Sequence, residues 1–375
     1  DWGKVLVQGY KEGGILPKWP LASSYTGCMV GYPAVSVLAD LVAKDLAEGD
    51  MSTWAEAGAR SSVYREDLAE KFKGTRELDL ITMHPYYKEK YGFVPADSVP
   101  ESVSWGLEMA YEDWCISQIA KKAGNMELAN EYAKKAEYYK RYLDPETKMM
   151  RPVMGDGSFR TPFNPRYSSH MKSDYTEGNA FQWSFFAPHD MDNFIAAIGG
   201  KKELETRLDT LFTTSSQIDG AEASGDITGL IGQYAHGNEP SHHMAYLYNW
   251  TDSPWKGQGY LDYIMQNFYT NEPDGIIGNE DCGQMSAWYV MSALGFYQVS
   301  PGIPVYTLGR PMVNKASMHV KGGIFEIVAT NNSPANKYVK EVKLNGKVLK
   351  APFISHSDII NGGKLEFIMT DQPVK

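Results

Sequence analysis

Two carboxylates in glycine- and aromatic-rich segments of this 375-residue chain have the type and setting for acid–base chemistry. In Asp174-Tyr175-Thr176-Glu177-Gly178-Asn179-Ala180-Phe181-Gln182-Trp183, Glu177 stands at the start of an apolar, aromatic helix. Partial burial there raises a carboxyl toward the range of a general acid. The structural alternative is that Thr176 caps the helix and Glu177 answers its dipole in the first turn. In Gly278-Asn279-Glu280-Asp281-Cys282-Gly283-Gln284, close behind Asp274, carboxylates on a Gly-rich loop lead into a second apolar helix. Such oxygens serve Ca²⁺, a general base, or both, although the spacing is not that of an EF-hand. The alternative is an acidic surface turn before an N-capped helix. One acid and one base held roughly 6.5–9.5 Å apart are what inverting glycoside hydrolysis requires.

A third segment, His236-Gly237-Asn238-Glu239-Pro240-Ser241-His242-His243, carries two adjacent histidines. Neighbouring helical residues face different ways, which argues against zinc. Asn238 and Glu239 offer contacts to substrate hydroxyls and an oxygen-donor site, with plain capping by Ser241 as the alternative. Lys18 and Trp19, in Gly14-Ile15-Leu16-Pro17-Lys18-Trp19, read as a sugar-stacking wall or as core. No nucleophile elbow, phosphate loop or nucleotide-binding glycine pattern is present.

The elements that position these segments are mostly helical. Residues 103–123 place Leu107, Ala110, Trp114, Ile116, Ile119 and Ala120 at three and four spacings, and Gly124-Asn125 ends the run before another helix near Met126. Further helices are predicted over 34–47, 51–67, 191–198, 201–212, 254–269 and 283–294. Between them lie long segments, 150–176, 220–239 and 271–281, of a length that tends to be functional inside a compact domain. Helical hairpins with elaborated loops predict a mainly α chain built as an (α/α) toroid, a plain bundle being the alternative. After Pro311 the runs 325–328 and 339–344 alternate like strands, and Asn345-Gly346 is a hairpin turn signal. A small antiparallel β module is therefore expected to follow.

With 36 basic and 46 acidic residues and a net charge of −10, no basic cluster can track a phosphate backbone, so nucleic acid is excluded as a partner. The 24 Tyr and 9 Trp supply faces on which sugars stack, or a large core. Cys28, Cys115 and Cys282 are too few for a disulfide framework. No apolar run is long enough for a membrane span. The start, Asp1-Trp2-Gly3-Lys4, is neither a signal peptide nor an initiator methionine.

Leu16-Pro17-Lys18-Trp19, Tyr175-Thr176-Glu177-Gly178-Asn179-Ala180, Pro188-His189-Asp190, Glu239-Pro240-Ser241-His242-His243 and the segment 278–288 together, in this order, resemble glycoside hydrolase family 92. These are calcium-dependent inverting exo-α-mannosidases. The resemblance implies an (α/α)6 barrel over 1–310 and a β module over 311–375, with Glu177 as general acid and Asp281 as general base. It implies Ca²⁺ on the O2 and O3 hydroxyls of a terminal mannose, with Asn179, Glu239 and Asp281 as candidate ligands. Lys18, Trp19, Asn238, Glu239, His242, His243 and Asn279 are the expected substrate contacts, and the substrate is a mannose-containing glycan cleaved at an α-1,2 or α-1,3 bond. A periplasmic or secreted location follows from the same resemblance.

Three departures qualify it. Asn279 replaces the first of two aspartates found in many members. Asn238 replaces a histidine frequent in α-1,2-specific ones, which weakens that linkage. The family's N-terminal β-sandwich and first barrel segment have no match, so the chain is expected to begin partway round the barrel, to need that domain as partner and to be inactive alone. Competing readings are a carbohydrate-binding fragment with a dead site, and an epimerase or lyase on the same toroid using His242 and His243.

Overall fold

A computed structural model describes residues 1–21 and 24–374. The chain forms two compact units: Asp1–Met191 with Ile218–Ser224 and Pro301–Ile303, and Asp192–Gln217 with Gly225–Ser300 and Pro304–Lys375.

The first unit is helical: besides helices over Trp2–Gly13 and His84–Tyr91 it contains α1 (Ala34–Ala43), α2 (Met51–Ser61), α3 (Glu66–Lys71), α4 (Ser102–Lys122), α5 (Met126–Lys135) and the short α6 (Ala180–Trp183). Helix α4 is buried on nearly every side, and α1, α2 and α5 pack around it, as a helix with little polar face requires. The expected hairpin at Gly124-Asn125 is α4–α5: Gly124 takes φ +78° and Asn125 Oδ1 accepts the Leu128 N–H at 3.1 Å. The single run predicted over 51–67 is two helices. Ser62 ends the first by turning its hydroxyl back onto the Ala59 carbonyl at 2.9 Å, the competition for backbone partners that serine brings to helix ends.

The second unit contains α7 (Lys201–Thr213), α8 (Pro254–Asn267) and α9 (Gln284–Leu294). Phe212 of α7 stacks on Tyr260 of α8 at 3.9 Å and on Tyr234 at 4.9 Å. A short ladder pairs β1 (Leu230–Ile231) with β2 (Tyr234–Ala235). The β-rich end comprises β3 (Phe296–Tyr297), β4 (Val305–Leu308), β5 (Lys315–Val320), β6 (Gly323–Thr330), β7 (Tyr338–Leu344), β8 (Lys347–Val348), β9 (Phe353–Ser355), helix α10 (His356–Ile360) and β10 (Gly363–Thr370). They form a three-stranded sheet, β9-β4-β3, and a five-stranded one, β8-β7-β10-β6-β5. All pairs are antiparallel except β10 with β6, which run parallel because β9 and α10 carry the chain across. Phe325, Ile327 and Ala329 of β6 and Leu365, Phe367 and Met369 of β10 alternate into one core with Phe296, Tyr306 and Ile354, the period-two pattern of a half-buried sheet. Asn345 and Gly346 both have positive φ, as the predicted β7–β8 turn demands.

Candidate active site

In the first unit the segment before α6 is fixed from both sides. Ser104 Oγ accepts the Thr176 N–H at 2.8 Å, and Trp183 Nε1 donates to the Thr176 carbonyl at 2.8 Å. Asp174 accepts from Ser102 Oγ and Arg160 Nη1. The cap of α6 is Asn179, whose Oδ1 accepts the Phe181 N–H at 2.9 Å while Gln182 Oε1 accepts the Asn179 N–H at 2.7 Å. Glu177 therefore lies outside the helix, two residues ahead of its cap, in left-handed backbone at φ +47°. The reading in which Thr176 caps and Glu177 answers a dipole is overturned, because a helix of four residues capped at Asn179 does not reach them. Asn179, expected as a metal ligand, is fully buried in that cap.

Lys18 Nζ donates to the Met29 carbonyl at 2.7 Å and sits 4.8 Å over the Trp105 ring, whose plane also stacks on His84 at 4.2 Å. Burial lowers Lys18 to about 8, against the opposing pull of Glu112 and Glu101, and burial lowers His84 to about 4. Glu101, at φ +55° just ahead of α4, donates its N–H to the Ser173 carbonyl. Burial raises its carboxyl, with Thr176, His170 and Lys18 acting against the rise. Glu101 escaped the sequence reading; only the Pro100 before it marked a break. Trp19 is half-buried, and its carbonyl accepts from the Thr26 hydroxyl at 2.8 Å.

In the second unit two loops meet through backbone. A Cβ at Gly278 would lie 2.9 Å from both the Gly237 carbonyl and Thr228 Oγ1, and φ there is +83°, so a glycine alone fits. This contact brings the 226–239 segment against 278–281. Asn279 Nδ2 donates to Asp226 Oδ1 at 3.3 Å, a partner 53 residues away that the sequence reading missed for want of any local signal. Glu280 caps α9: it accepts the Gly283 and Ser286 N–H groups, and Ser286, followed by the Gly283 amide, holds its carboxyl below the usual range. Asp281 next to it is exposed, in left-handed backbone at φ +54°.

The histidines divide in role. Tyr234 and Tyr269 hydroxyls engage the two ring nitrogens of His236 at 2.8 and 2.7 Å. Gln284 Nε2 donates to His242 Nδ1 at 3.0 Å, so the His242 proton sits on Nε2 and points at the His236 carbonyl, also 3.0 Å away. Burial lowers His236 well below its ordinary value and His242 to about 4. Expected as a substrate contact, His242 spends both nitrogens inside the unit. His243 is buried beside it, Asn238 Oδ1 accepts the Glu239 N–H at 3.2 Å, and Glu239 is half-buried.

For a hard cation, the second unit offers the carboxylates of Asp226 and Glu239, the Asn279 amide, the Gly237 carbonyl, and Thr228 Oγ1, which is buried with no hydrogen-bond partner. Among the described residues no three His, Cys, Asp or Glu side chains gather for a metal. Carboxylate, amide, carbonyl and hydroxyl oxygens of this kind are the hard ligands that Ca²⁺ takes.

Comparison with known proteins identifies the family. The family model described as the glycosyl hydrolase family 92 catalytic domain matches residues 1–371. A family 92 α-mannosidase from Bacteroides thetaiotaomicron, solved with mannoimidazole, is 39% identical with a TM-score of 0.88 over 99% of this chain and 48% of its own. An inverting mannosidase of the family from the same organism is 31% identical, with a TM-score of 0.84 over 99% and 50%. A curated protein of Arthroderma benhamiae described as an uncharacterized secreted glycosidase is 23% identical over 97% of this chain and 48% of its own length. The chain thus spans about half the length of the relatives it matches. Together with the two carboxylate loops, the match over residues 1–371 shows that this chain belongs to glycosyl hydrolase family 92.

Proposed function

We propose that this chain carries the catalytic groups of an exo-acting, inverting α-mannosidase that removes terminal α-linked mannose from glycans. One observation carries the assignment within the family: Glu177 and Asp281 each hold left-handed backbone ahead of a helix whose capping falls to another residue, Asn179 or Glu280. Left-handed backbone at a residue other than glycine is a strain that collects at functional sites.

Glu177 protonates the departing glycosidic oxygen while Asp281 takes a proton from the attacking water, so the mannose leaves as the β anomer. Lys18 and Trp19 offer a cation and an aromatic face to the sugar, Glu101 a hydroxyl acceptor, and Asn238, Glu239, His243 and Asn279 further polar contacts. Calcium, when bound, would supply positive charge to two hydroxyls of the terminal sugar. Asp226, Glu239 and Asn279, with the Thr228 hydroxyl and Gly237 carbonyl, would hold it. Asp281 is left to the proton, since a carboxylate on a dication is a poor base.

The glycan bond is α-1,2 or α-1,3, the protein acts in the periplasm or outside the cell, and a β-sandwich domain of the family type works with it. The secreted description of the fungal relative supports the location. Among the described residues no helix is long and apolar enough to cross a membrane.

The test is proton NMR of α-1,2- and α-1,3-mannobiose digests with the β-sandwich domain present. β-Mannose should appear first, EDTA should stop the reaction and calcium restore it. Glu177→Gln and Asp281→Asn should each lower turnover by about 10²–10⁴. α-Mannose or an unsaturated sugar appearing first, or normal turnover in either variant, overturns the reading.

A further inference from the structure

One face of α8 carries Trp255, Gly259 and Tyr263 at successive four-residue steps. Each step turns about 40° round the helix, so the Cα atoms of Trp255 and Tyr263 are neighbours of the glycine between them and rise about 12 Å along the axis. That glycine has no packing reason. A Cβ at Gly257, two residues earlier, would strike the Ala245 carbonyl at 2.4 Å, whereas a Cβ at Gly259 meets nothing within 4 Å. An interior helical glycine costs stability relative to alanine, and what it leaves here is the floor of an open cavity of about 480 Å³. Tyr260, Lys337 and Tyr338 complete the walls.

The walls are fixed before any ligand arrives. Phe212 backs the Tyr260 ring at 3.9 Å. Gln258 Oε1 accepts the Val339 N–H at 2.9 Å and ties α8 to β7. Lys337 Nζ lies 5.6 Å over the Tyr338 ring. At the rim Lys256 Nζ holds Glu205 at 2.7 Å and Asp209 at 2.6 Å, a set of donors and acceptors within reach of hydroxyl groups. Aromatic faces on either side of an open glycine, edged by mixed donors and acceptors, match a pyranose, which has apolar faces and a polar equator.

We propose that the groove between α8 and the start of β7 is a carbohydrate-binding site, separate from the carboxylate loops, which holds a mannose unit of the glycan over Gly259 between Trp255 and Tyr263. The choice of mannose rests on the proposed function; the choice of a sugar rests on the groove.

Native affinity electrophoresis in gels containing soluble α-mannan tests it, alongside hydrolysis of 4-nitrophenyl α-mannoside. Wild-type protein should be retarded by mannan. Gly259→Leu, whose Cβ meets nothing within 4 Å, and Trp255→Ala/Tyr263→Ala should each weaken that retention about tenfold or more and leave turnover of the small substrate unchanged. Absence of retardation in the wild type, or full retention in Gly259→Leu, overturns the proposal. Should the wild type, with the β-sandwich domain present, cleave no mannoside yet show retardation that Gly259→Leu abolishes, the groove stands and the hydrolase reading falls.

Discussion

Left-handed backbone at a residue other than glycine costs about 1–3 kcal/mol, and Glu177, Asp281 and Glu101 all carry it. Neighbours in one loop can therefore be told apart by experiment. The Glu280 carboxylate holds the Gly283 and Ser286 amides, whereas Asp281 reaches α9 through its backbone carbonyl, which accepts the Gln284 N–H at 3.2 Å. Glu280→Gln should melt a few degrees lower and keep most of its turnover, whereas Asp281→Asn should melt as the wild type and lose turnover. Thermal melts and steady-state kinetics on the pair decide it, and the reverse pattern would reassign the base. Not all of this was legible in the sequence. Asn279-Glu280-Asp281 marked the loop, but which carboxylate caps and which faces outward depends on three consecutive positive φ values at 281–283, and composition does not encode those. Asp226 was hidden because its partner lies 53 residues away, and Glu101 because the burial that raises its carboxyl is set by the fold.

At the scale of elements, helix α6 shows how a short turn of structure can aim a side chain. Its four residues are too few to persist without the reciprocal Asn179–Gln182 cap. Asn179→Ala should cost about 1–2 kcal/mol and lower turnover with it, because the cap anchors the loop that carries Glu177. Asn179→Asp, which keeps the acceptor, should recover both in chemical denaturation and kinetics. Full turnover in a destabilised Asn179→Ala would separate the cap from the chemistry. This box was present in the sequence as Asn179-x-x-Gln182, the usual helix-start signature, and Thr176 obscured it by offering a nearer candidate. Most of the helices were legible in kind and nearly in extent, since apolar spacing set α4, α5, α7, α8 and α9, whereas those over Trp2–Gly13 and His84–Tyr91 were not predicted. The break after Ser62 was not, because a hydroxyl turning onto its own helix leaves the apolar period intact.

For the whole molecule, pH acts unequally on the two units. His84 and His189 in the first, and His242 in the second, are lowered to about 4 by burial, and His236 further. Depressed histidines contribute stability that is present above about pH 6.5 and lost as pH falls through 4, roughly 3 kcal/mol each. The first unit also buries Glu101, Glu112, Asp113 and Asp174, all raised by burial. Raised carboxyls act in the opposite sense: their contribution is full at low pH and is lost as pH rises through the folded value. Acidification from pH 7 to 4.5 should therefore loosen the second unit before the first. Hydrogen exchange read by mass spectrometry should show protection lost early around 234–250 and late around 102–122; simultaneous loss would refute the asymmetry.

The parallel pairing of β10 with β6 also sets the order of assembly. β10 lies between β7 and β6, which share no ladder of their own, so the central strand of the five-stranded sheet is the one farthest along the chain. Until Gly363–Thr370 arrives, β5–β6 and β7–β8 are separate hairpins, each with an unpaired edge and a bare apolar face. During synthesis this sheet is thus held open as a receptor for β10, and any strand-shaped peptide that reaches the slot first competes with the native one.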